Sequence, residues 1–342
     1  MDTVIRLRNI ASGLLAAACL ASMCGGAVAQ QSVAATVYRA VPRPAGESVI
    51  FDPPVDAIRC EIVSWENGRL VYKAGDPPPD EIRSQTIPES QVVGVEVHWQ
   101  TAAARAANQA FAEGRWRDSI LASQAAINSP EMPLWQQKLM GLQIVSAAMQ
   151  YERVDLAVQV YAMLTEQGLP EFGLAYLPVP WGGEPPSKRV LDDLAPLVDS
   201  QDPTTQFIVA AWMLTGPDRE AARVRLKRFA TESSGPLRAL AEAQLWRVEP
   251  PEAFRRHLAE SLELRNTLPL SLQAGVNAAI ADRLERGGEL ELAHSMWVLV
   301  AVDSQLHRQP LAAFAATRLE GLAQRGVGAE QWPKLREFLL KQ

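Results

Sequence analysis

The sequence predicts a mainly α protein, in which an α-α superhelix over residues 101–342 follows a small all-β domain over residues 48–99. The first observation is a pair of helical hairpins with one plan within Ala102 to Gln167, offset by 38 residues. Helix-turn-helix repeats have periods close to that offset. The second observation is a change of hydrophobic period near Trp99, from about 2 residues to about 3.6. Strands are therefore expected before Trp99 and helices after it.

Residues 1–29 have the pattern of a signal peptide. Two arginines precede the apolar run from Ile10 to Met23, and Ala27-Val28-Ala29 has the form of a cleavage site. Cleavage after Ala29 would give a periplasmic or secreted protein. The alternative is a lipoprotein signal cut before Cys19, which would anchor the chain through that cysteine. No later apolar run is long enough for a transmembrane segment.

Net charge and cysteine content narrow the expected ligands and bonds. The chain carries a net charge of -6, and an acidic protein is a poor ligand for nucleic acid. Cys60 is the one cysteine left after signal removal, so no intramolecular disulfide is expected. Because Cys60 alternates with charged residues, we expect it at a buried position of a strand.

The region before Trp99 is expected to be β-rich. Residues 30–47 contain prolines and little periodicity, and they are interpreted as a flexible lead or an edge strand. The elements that follow are a strand over Ile58–Trp65, an Asn67-Gly68 hairpin turn, a strand over Arg69–Lys73, a loop over Gly75–Asp80, the Ile87-Pro88 pair and a valine strand over Val92–Trp99. This order resembles the small β-barrel heads of Sm-like type on some exported bacterial proteins. The resemblance implies a fold and no activity.

The helical region resembles tetratricopeptide repeats. In that family a small residue follows the turn of each helical hairpin, where two helices approach closely. Three positions after successive turns stand Ser119, Ala157, Ala222, Ala253 and Ala293. The bulky position four residues further on is occupied by Ser123, Tyr161, Leu226, His257 and Trp297. Since the spacings are irregular, a generic α-α superhelix remains an alternative to true tetratricopeptide geometry.

Helix boundaries follow from capping residues and prolines. Thr101 is expected to cap the first helix, Gly114 to end it, and Pro133 to begin the third. A Pro/Gly-rich loop over residues 168–187 interrupts the helices but contains several apolar side chains, so we expect it to pack against a helical face. The later helices are expected at Val190–Val198, Thr204–Leu214, Arg219–Thr231, Pro236–Val248, Pro251–Leu264, Leu270–Arg286, Leu290–Leu306, Pro310–Gln324 and Glu330–Leu340.

The sequence lacks a recognisable catalytic, cofactor-binding or metal-binding motif. None of the four histidines, His98, His257, His294 and His307, has further ligands at metal-site spacing. Phosphate-binding loops and nucleophile elbows are also missing from the sequence. We therefore expect neither a metal nor a cofactor.

These observations favour a non-enzymatic interaction or scaffold protein of the cell envelope. A stack of helical hairpins offers an extended surface for a peptide or protein partner, and the partner could be a second copy of the chain. The candidate partner-binding residues are Trp135, Trp181 and Tyr176. The alternative is an enzyme or carbohydrate-binding protein with a site between the β domain and the helices, formed by Trp99, Trp181 and Glu184.

Overall fold

The computed structural model describes residues 32–41, 55–74, 84–305 and 310–340. The expected signal peptide and the loop over Gly75–Asp80 lie outside these residues. Fourteen α-helices and five β-strands form the described part of the chain, and the prediction of a mainly α protein with a small β region is confirmed. No helix in these ranges combines the length and the apolar character needed to cross a membrane.

The strands form one sheet with the order β4-β3-β2-β1-β5. The strands are β1 (Val33–Ala40), β2 (Val55–Glu66), β3 (Arg69–Ala74), β4 (Ser84–Pro88) and β5 (Val92–Val97). β3 pairs antiparallel with both β2 and β4. Asn67 and Gly68 join β2 to β3 with φ angles of 52° and 71°, as expected for a hairpin turn whose two central residues both have positive φ.

The sheet is open, so the expectation of a closed barrel was wrong. β4 and β5 are its two edges, and the described strands contain no pairing between them. A short 3-10 turn, Glu89–Gln91, connects these two strands along the chain. Turn residues and the alternation of apolar and polar residues predict how strands that are adjacent in sequence pair. Barrel closure depends on pairing between the two edge strands, and the local sequence does not predict that pairing.

Part of residues 30–47 belongs to the interior of the sheet and is neither a flexible lead nor an edge strand. β1 lies between β2 and β5, and Val33, Ala35 and Val37 are buried along one of its faces. The alternation was present in the sequence, but the prolines and glycine that follow concealed it. Cys60 is buried in β2, as expected, and its burial raises the pKa of the thiol to about 11.

The described part of the chain divides into two compact units, and the main division falls between Pro170 and Glu171. Among the described residues, the first unit comprises residues 32–37, 57–74, 84–89 and 95–170, and the second comprises residues 38–41, 55–56, 90–94, 171–305 and 310–340. This division therefore lies inside the predicted loop over residues 168–187.

Consecutive helices pack against each other within each unit. The first unit contains α1 (Ala102–Ala112), α2 (Trp116–Ile127), α3 (Leu134–Gln150) and α4 (Val154–Glu166). The second contains α5 (Lys188–Leu194), α6 (Pro203–Met213), α7 (Arg219–Glu232), α8 (Pro236–Trp246), α9 (Pro251–Arg256), α10 (Leu258–Asn266), α11 (Leu270–Arg286), α12 (Leu290–Gln305), α13 (Pro310–Gln324) and α14 (Trp332–Leu340).

Four helices end in the same turn, which is the clearest repeated feature of the structure. The second residue after the helix has positive φ at Gly114, Glu152, Gly288 and Gly326, with values of 70°, 55°, 80° and 89°. In each case the next amide donates to a carbonyl five residues earlier: Arg115 to Ala110, Arg153 to Ala148, Glu289 to Leu284 and Val327 to Leu322. This six-residue hydrogen bond defines a Schellman motif, which satisfies carbonyl groups at the helix end.

The small residues expected after the turns are buried at four of five positions. Ser119, Ala157, Ala222 and Ala293 are at most 3% exposed, as close contact between neighbouring helices requires. Ala253 is only half-buried. It lies in the short α9, because the helix expected over Pro251–Leu264 is interrupted at His257.

Candidate functional site

The first unit contains a cleft with a volume of about 1190 Å³. Its walls are the β2–β3 turn, the residues before α1, the loop between α2 and α3, the first turn of α3 and the residues after α4. Sites for small ligands usually have volumes of about 300–1000 Å³. This cleft is therefore large enough for a short stretch of polypeptide.

The β wall of the cleft is held by a contact between two turns. Asn67 and Gly68 bend the chain so that Trp65 and Glu66 line the opening. The Trp65 indole N–H donates to Glu89 Oε2 at 3.4 Å, and the Glu89 amide donates to the Gly68 carbonyl at 2.9 Å. The Trp65 residue is only 7% exposed to solvent. Its indole is therefore fixed at the base of this wall.

The helical wall of the cleft is formed by residues at the starts of α1 and α3. The Thr101 hydroxyl accepts a hydrogen bond from the Ala104 amide at 3.2 Å and caps α1. Pro133 precedes α3, and the first two residues of α3 then have opposite environments. Leu134 is 55% exposed, whereas Trp135 is 6% exposed, and both line the cleft. An exposed leucine beside a buried tryptophan gives this wall an accessible apolar surface.

A lysine contacts the residues that follow α4. The Lys138 ammonium donates to the Gly168 carbonyl at 2.6 Å. Gly168 has a φ of 75° after the end of α4, and a cation suits the unpaired carbonyls at such an end. Burial lowers the pKa of Lys138, and the Glu89 carboxylate partly opposes this shift. The ammonium group therefore already has a protein partner.

Four charged residues of the described ranges line the cleft, and they are Glu66, Glu89, Glu131 and Lys138. Glu66 and Glu131 are exposed, and Glu89 is half-buried. The lining thus combines charged groups with indole and aliphatic groups.

The three predicted partner-binding residues belong to two different units. Trp135 lines the cleft of the first unit, whereas Tyr176 and Trp181 belong to the second unit. Tyr176 lies in the 3-10 helix Glu171–Tyr176 and contacts Phe172 edge-to-face. Trp181 packs over Gly275 of α11. Whether any of the three binds a partner stays a prediction.

The residues of the alternative site are also in different units. Trp99 packs against a buried cluster of the first unit that includes Met132 and Met140. Trp181 and Glu184 belong to the second unit, where the Glu184 carboxylate pairs with Arg286 at 2.9 Å. The three side chains therefore belong to two different units, and the alternative site stays a prediction.

Sequence reasoning missed most of the residues that line the cleft. Trp65, Glu66, Glu89, Glu131 and Lys138 come from four separate parts of the chain. These residues come together only in the tertiary structure, and no local sequence pattern predicts their proximity. The available signals were the strong Asn-Gly turn and the proline-bounded loop before α3, because loops held by rigid elements frequently carry binding residues.

The second unit contains a dense charge network on α11. Asp282 is fully buried and pairs with Arg283, with Arg286 at 3.0 Å and with Arg318 of α13 at 3.6 Å. Glu285 accepts hydrogen bonds from Trp297, Arg318 and Arg325. These acids are surrounded by arginines within their own unit. The arrangement joins α11, α12 and α13 and suits a structural role.

Neither a search for metal-binding side chains nor a comparison with known proteins adds a further candidate site. In the described ranges no three histidine, cysteine or carboxylate side chains are grouped so that they could hold a metal ion. Comparison with protein families, with curated proteins and with solved structures finds no match to this chain.

Proposed function

We propose that this chain is a non-enzymatic interaction or scaffold protein of the cell envelope that binds a peptide or protein partner. The cleft of the first unit is the proposed binding site. The observation that carries the proposal is its lining, in which the exposed Leu134 stands beside Trp135 and opens into a cavity of about 1190 Å³. Buried aromatic anchors with an apolar surround are typical of the centres of protein interfaces.

The size and chemistry of the cleft favour a polypeptide segment over a small molecule. Its walls include Pro130, Met132, Pro133 and Leu134, which provide apolar groups in the loop before α3 and at the start of that helix. Gln100, Thr101 and Gln136 add polar groups around this surface. A bound segment could pack its side chains on the apolar wall and meet amide and hydroxyl groups at the rim.

The helical part supports a degenerate tetratricopeptide-like assignment. Four Schellman turns recur, and a buried small residue follows three positions into the helix after the turn at Ser119, Ala157 and Ala293. Proteins built from such hairpins usually present extended binding surfaces. This assignment is consistent with a protein whose function is to hold another molecule.

The proposal places the protein in the periplasm or outside the cell. It rests on the basic, apolar and Ala-Val-Ala pattern of residues 1–29. Mass spectrometry of the exported protein tests it, and a mature N-terminus at Gln30 is the expected result. A lipid-modified Cys19 would replace the secreted form with the anchored form, and full-length protein confined to the cytoplasm would contradict export.

A site-specific cross-linking experiment tests the proposed function. A photo-reactive amino acid replaces Leu134 in the full chain, and a matched chain carries it at Val224, which is 67% exposed on α7 of the second unit. We expect a discrete adduct from position 134 and none of that mass from 224. A synthetic copy of the cross-linked segment should then bind the purified chain and suppress the adduct. Identical adducts from both positions would contradict a site in the cleft.

A second candidate function is carbohydrate binding or hydrolysis in the same cleft. It is favoured by the presence of Trp65, Trp135 and three carboxylates in one lining, since a pair of carboxylates performs glycoside hydrolysis. Release of reducing sugar from envelope glycans by the wild-type chain, and its loss in Glu89→Gln, would favour this function over the interaction role.

A further inference from the structure

We infer that the second unit has a peptide-binding surface of its own, which the chain occupies with residues 180–186. These residues are called the strap. The surface fits an extended segment with an indole, two glycines and a carboxylate in succession, as in Trp181, Gly182, Gly183 and Glu184 of the strap. Because all these residues belong to the second unit, the inference does not depend on the cleft of the first unit.

The strap is tethered at both ends and partly exposed between them. Val179 precedes it and is 4% exposed. Ser187 follows it and caps α5, since its hydroxyl accepts a hydrogen bond from the Val190 amide at 3.3 Å. The residues from 180 to 186 are all half-buried or exposed. Release of the strap would therefore uncover helical surface without removing a fully buried side chain from the core.

The strap lies across three helices that pack side by side. Trp181 lines a small gap together with Leu240 of α8, Gly275 of α11 and Leu311 of α13. α11 packs against both α8 and α13, so the three helices offer one continuous surface. Helices stacked in this way present an extended face on which a polypeptide segment can lie.

Side chains of this surface bind the main chain of the strap. The Arg247 guanidinium donates to the Gly182 carbonyl at 2.8 Å, and the Thr215 hydroxyl donates to the Glu184 carbonyl at 3.0 Å. Arg247 also donates to the Ala211 carbonyl of α6 at 2.8 Å, which holds its guanidinium in place independently of the strap. Main-chain hydrogen bonds give affinity in the recognition of extended peptides, whereas specificity comes from contacts with side chains.

Close contacts restrict the two central positions of the strap to glycine. A Cβ atom on Gly182 would lie 3.2 Å from the Phe314 ring of α13. A Cβ atom on Gly183 would lie 3.0 Å from Asp282 Oδ2 and 2.5 Å from Arg283 Nη2 of α11. A side chain at either position would push the segment away from the helices, so the surface selects glycine at both.

The residues on either side of the glycines provide an aromatic ring and a negative charge. The Trp181 ring packs over Gly275, where a side chain would overlap it. The Glu184 carboxylate lies 2.9 Å from Arg286 of α11 and 3.8 Å from Arg318 of α13. Buried aromatic anchors and arginine-carboxylate pairs are typical of specific recognition. A partner segment therefore needs an aromatic residue and, three positions later, a carboxylate.

A chain with a weakened strap tests the inference. The probe is a blocked, labelled peptide that copies residues 178–187, and the full chain carries Trp181→Ala together with Glu184→Gln. Fluorescence anisotropy should show that this variant binds the peptide about tenfold more tightly than the wild type, whose tethered strap competes at an effective concentration of about 1 mM. The matched control is Leu292→Ala with Glu220→Gln, which changes exposed side chains of the same unit and should bind like the wild type.

Altered peptides connect the binding to the predicted contacts. Peptides with Trp181→Ala, Gly183→Ala or Glu184→Gln should each bind the weakened-strap variant about fivefold to tenfold less tightly than the parent peptide. A peptide with Ser187→Ala is the control, because this residue lies beyond the strap, and it should bind like the parent peptide.

Two results would overturn the inference. One is failure of the weakened-strap variant to bind the peptide although circular dichroism shows it to be folded, and the other is equal binding of all the peptides. If the double variant does not fold, Glu184→Gln alone replaces it, since this side chain is 55% exposed. The amides of residues 181–184 should then exchange about threefold faster when about 1 mM peptide is added, and unchanged exchange would overturn the inference. Cross-linking through Leu134 tests the cleft separately, so either proposal can fail alone.

Discussion

The indole of Trp181 lies so close to Gly275 of α11 that a Cβ atom on residue 275 would overlap its ring. Gly275 is an interior residue of a 17-residue helix, where glycine costs about 1 kcal/mol relative to alanine. The close contact with the indole explains why glycine occupies this position inside the helix. A second contact holds the same proline-rich segment, because the Trp212 indole of α6 donates to the Pro178 carbonyl at 2.8 Å. The segment before α5 therefore packs on helices of its own unit.

Substitution of Gly275 by alanine is predicted to destabilise the second unit. The added methyl group must displace the Trp181 ring, and overpacking of this kind typically costs about 1–3 kcal/mol. This cost should exceed the gain in helix propensity. The free energy of unfolding, measured by urea denaturation, should fall by about 1–2 kcal/mol relative to the wild-type chain.

Gly321→Ala is the matched control for this substitution. Gly321 is also inside a helix, α13, but no atom lies within 4 Å of a Cβ at that position. Alanine there should raise the free energy of unfolding by about 0.4–1 kcal/mol. If Gly275→Ala were as stabilising as Gly321→Ala, the close contact between Trp181 and residue 275 could not exist in solution.

Glu152 is predicted to weaken the turn that it occupies. It has a φ of 55° where the equivalent turns have Gly114, Gly288 and Gly326, and a side chain in the left-handed region costs about 1 kcal/mol. Glu152→Gly should therefore raise the free energy of unfolding by about 0.5–1 kcal/mol. Thermal and urea denaturation of the full chain measure the change.

The reverse substitution at an equivalent turn provides the control. Gly288 has a φ of 80° and no atom within 4 Å of a Cβ, so Gly288→Glu adds backbone strain without a steric clash. It should lower the free energy of unfolding by about 1 kcal/mol. A loss of stability in both Glu152→Gly and Gly288→Glu would contradict the common turn geometry.

The helical part was predictable because its signals are local. Thr101 caps α1, Gly114 ends α1 with positive φ, and proline occupies the first position of α6, α8 and α13. Each of these features acts through neighbouring residues alone. The turn before Ala157 was also predicted from the repeat, although Glu152 stands where the equivalent turn has Gly114.

The remaining features depend on contacts between distant residues. The His257 imidazole contacts Ser261 at 3.3 Å and Glu249 at 2.9 Å, and such polar contacts accompany a break in a helix whose apolar pattern looked continuous. The cleft was less predictable still, since Glu89 and Lys138 belong to different elements. Trp135 lines the cleft, whereas the half-buried Trp181 packs on Gly275 in the second unit. Partner binding by either residue stays a prediction.

Arg247 is predicted to anchor the glycine-containing segment before α5. It is 1% exposed and donates to the Gly182 carbonyl, the Ala211 carbonyl and Gln244 Oε1 at 2.8, 2.8 and 2.6 Å. Burial lowers the pKa of this guanidinium to about 9, with Asp282 partly opposing the shift. Arg247→Met leaves two buried carbonyls without this donor, and it should lower the free energy of unfolding by about 2–4 kcal/mol.

Hydrogen exchange distinguishes this local role from general destabilisation. In Arg247→Met, amides of residues 178–187 should exchange faster than those of α3 in the first unit. Arg228→Met is the control, because Arg228 forms an exposed pair with Glu232 at 2.7 Å on α7 and such pairs contribute about 0–1 kcal/mol. Equal exchange rates in residues 178–187 of both variants would rule out the anchoring role.

Asp303 is predicted to make the stability of the second unit depend on pH. Burial raises the pKa of its carboxyl group to about 6 from 3.8, although Arg265 and the Asn277 amide favour the charged form. The folded state therefore binds this proton more tightly than the unfolded chain. Its stabilising contribution is fully present below pH 3.8 and is lost as the pH rises through 6.

Asp303→Asn replaces the titrating carboxyl group by a neutral amide, so the variant lacks the pH dependence that Asp303 contributes to stability. At pH 7 the variant should unfold with a free energy about 1–3 kcal/mol higher than the wild type, and the two should converge near pH 4. Glu263→Gln, at an exposed position of α10, controls for the loss of one carboxylate. Urea denaturation at several pH values measures the difference. A wild-type chain that loses no stability relative to Asp303→Asn between pH 4 and 7 would contradict a raised pKa, because a carboxyl group with equal pKa in both states contributes no pH dependence.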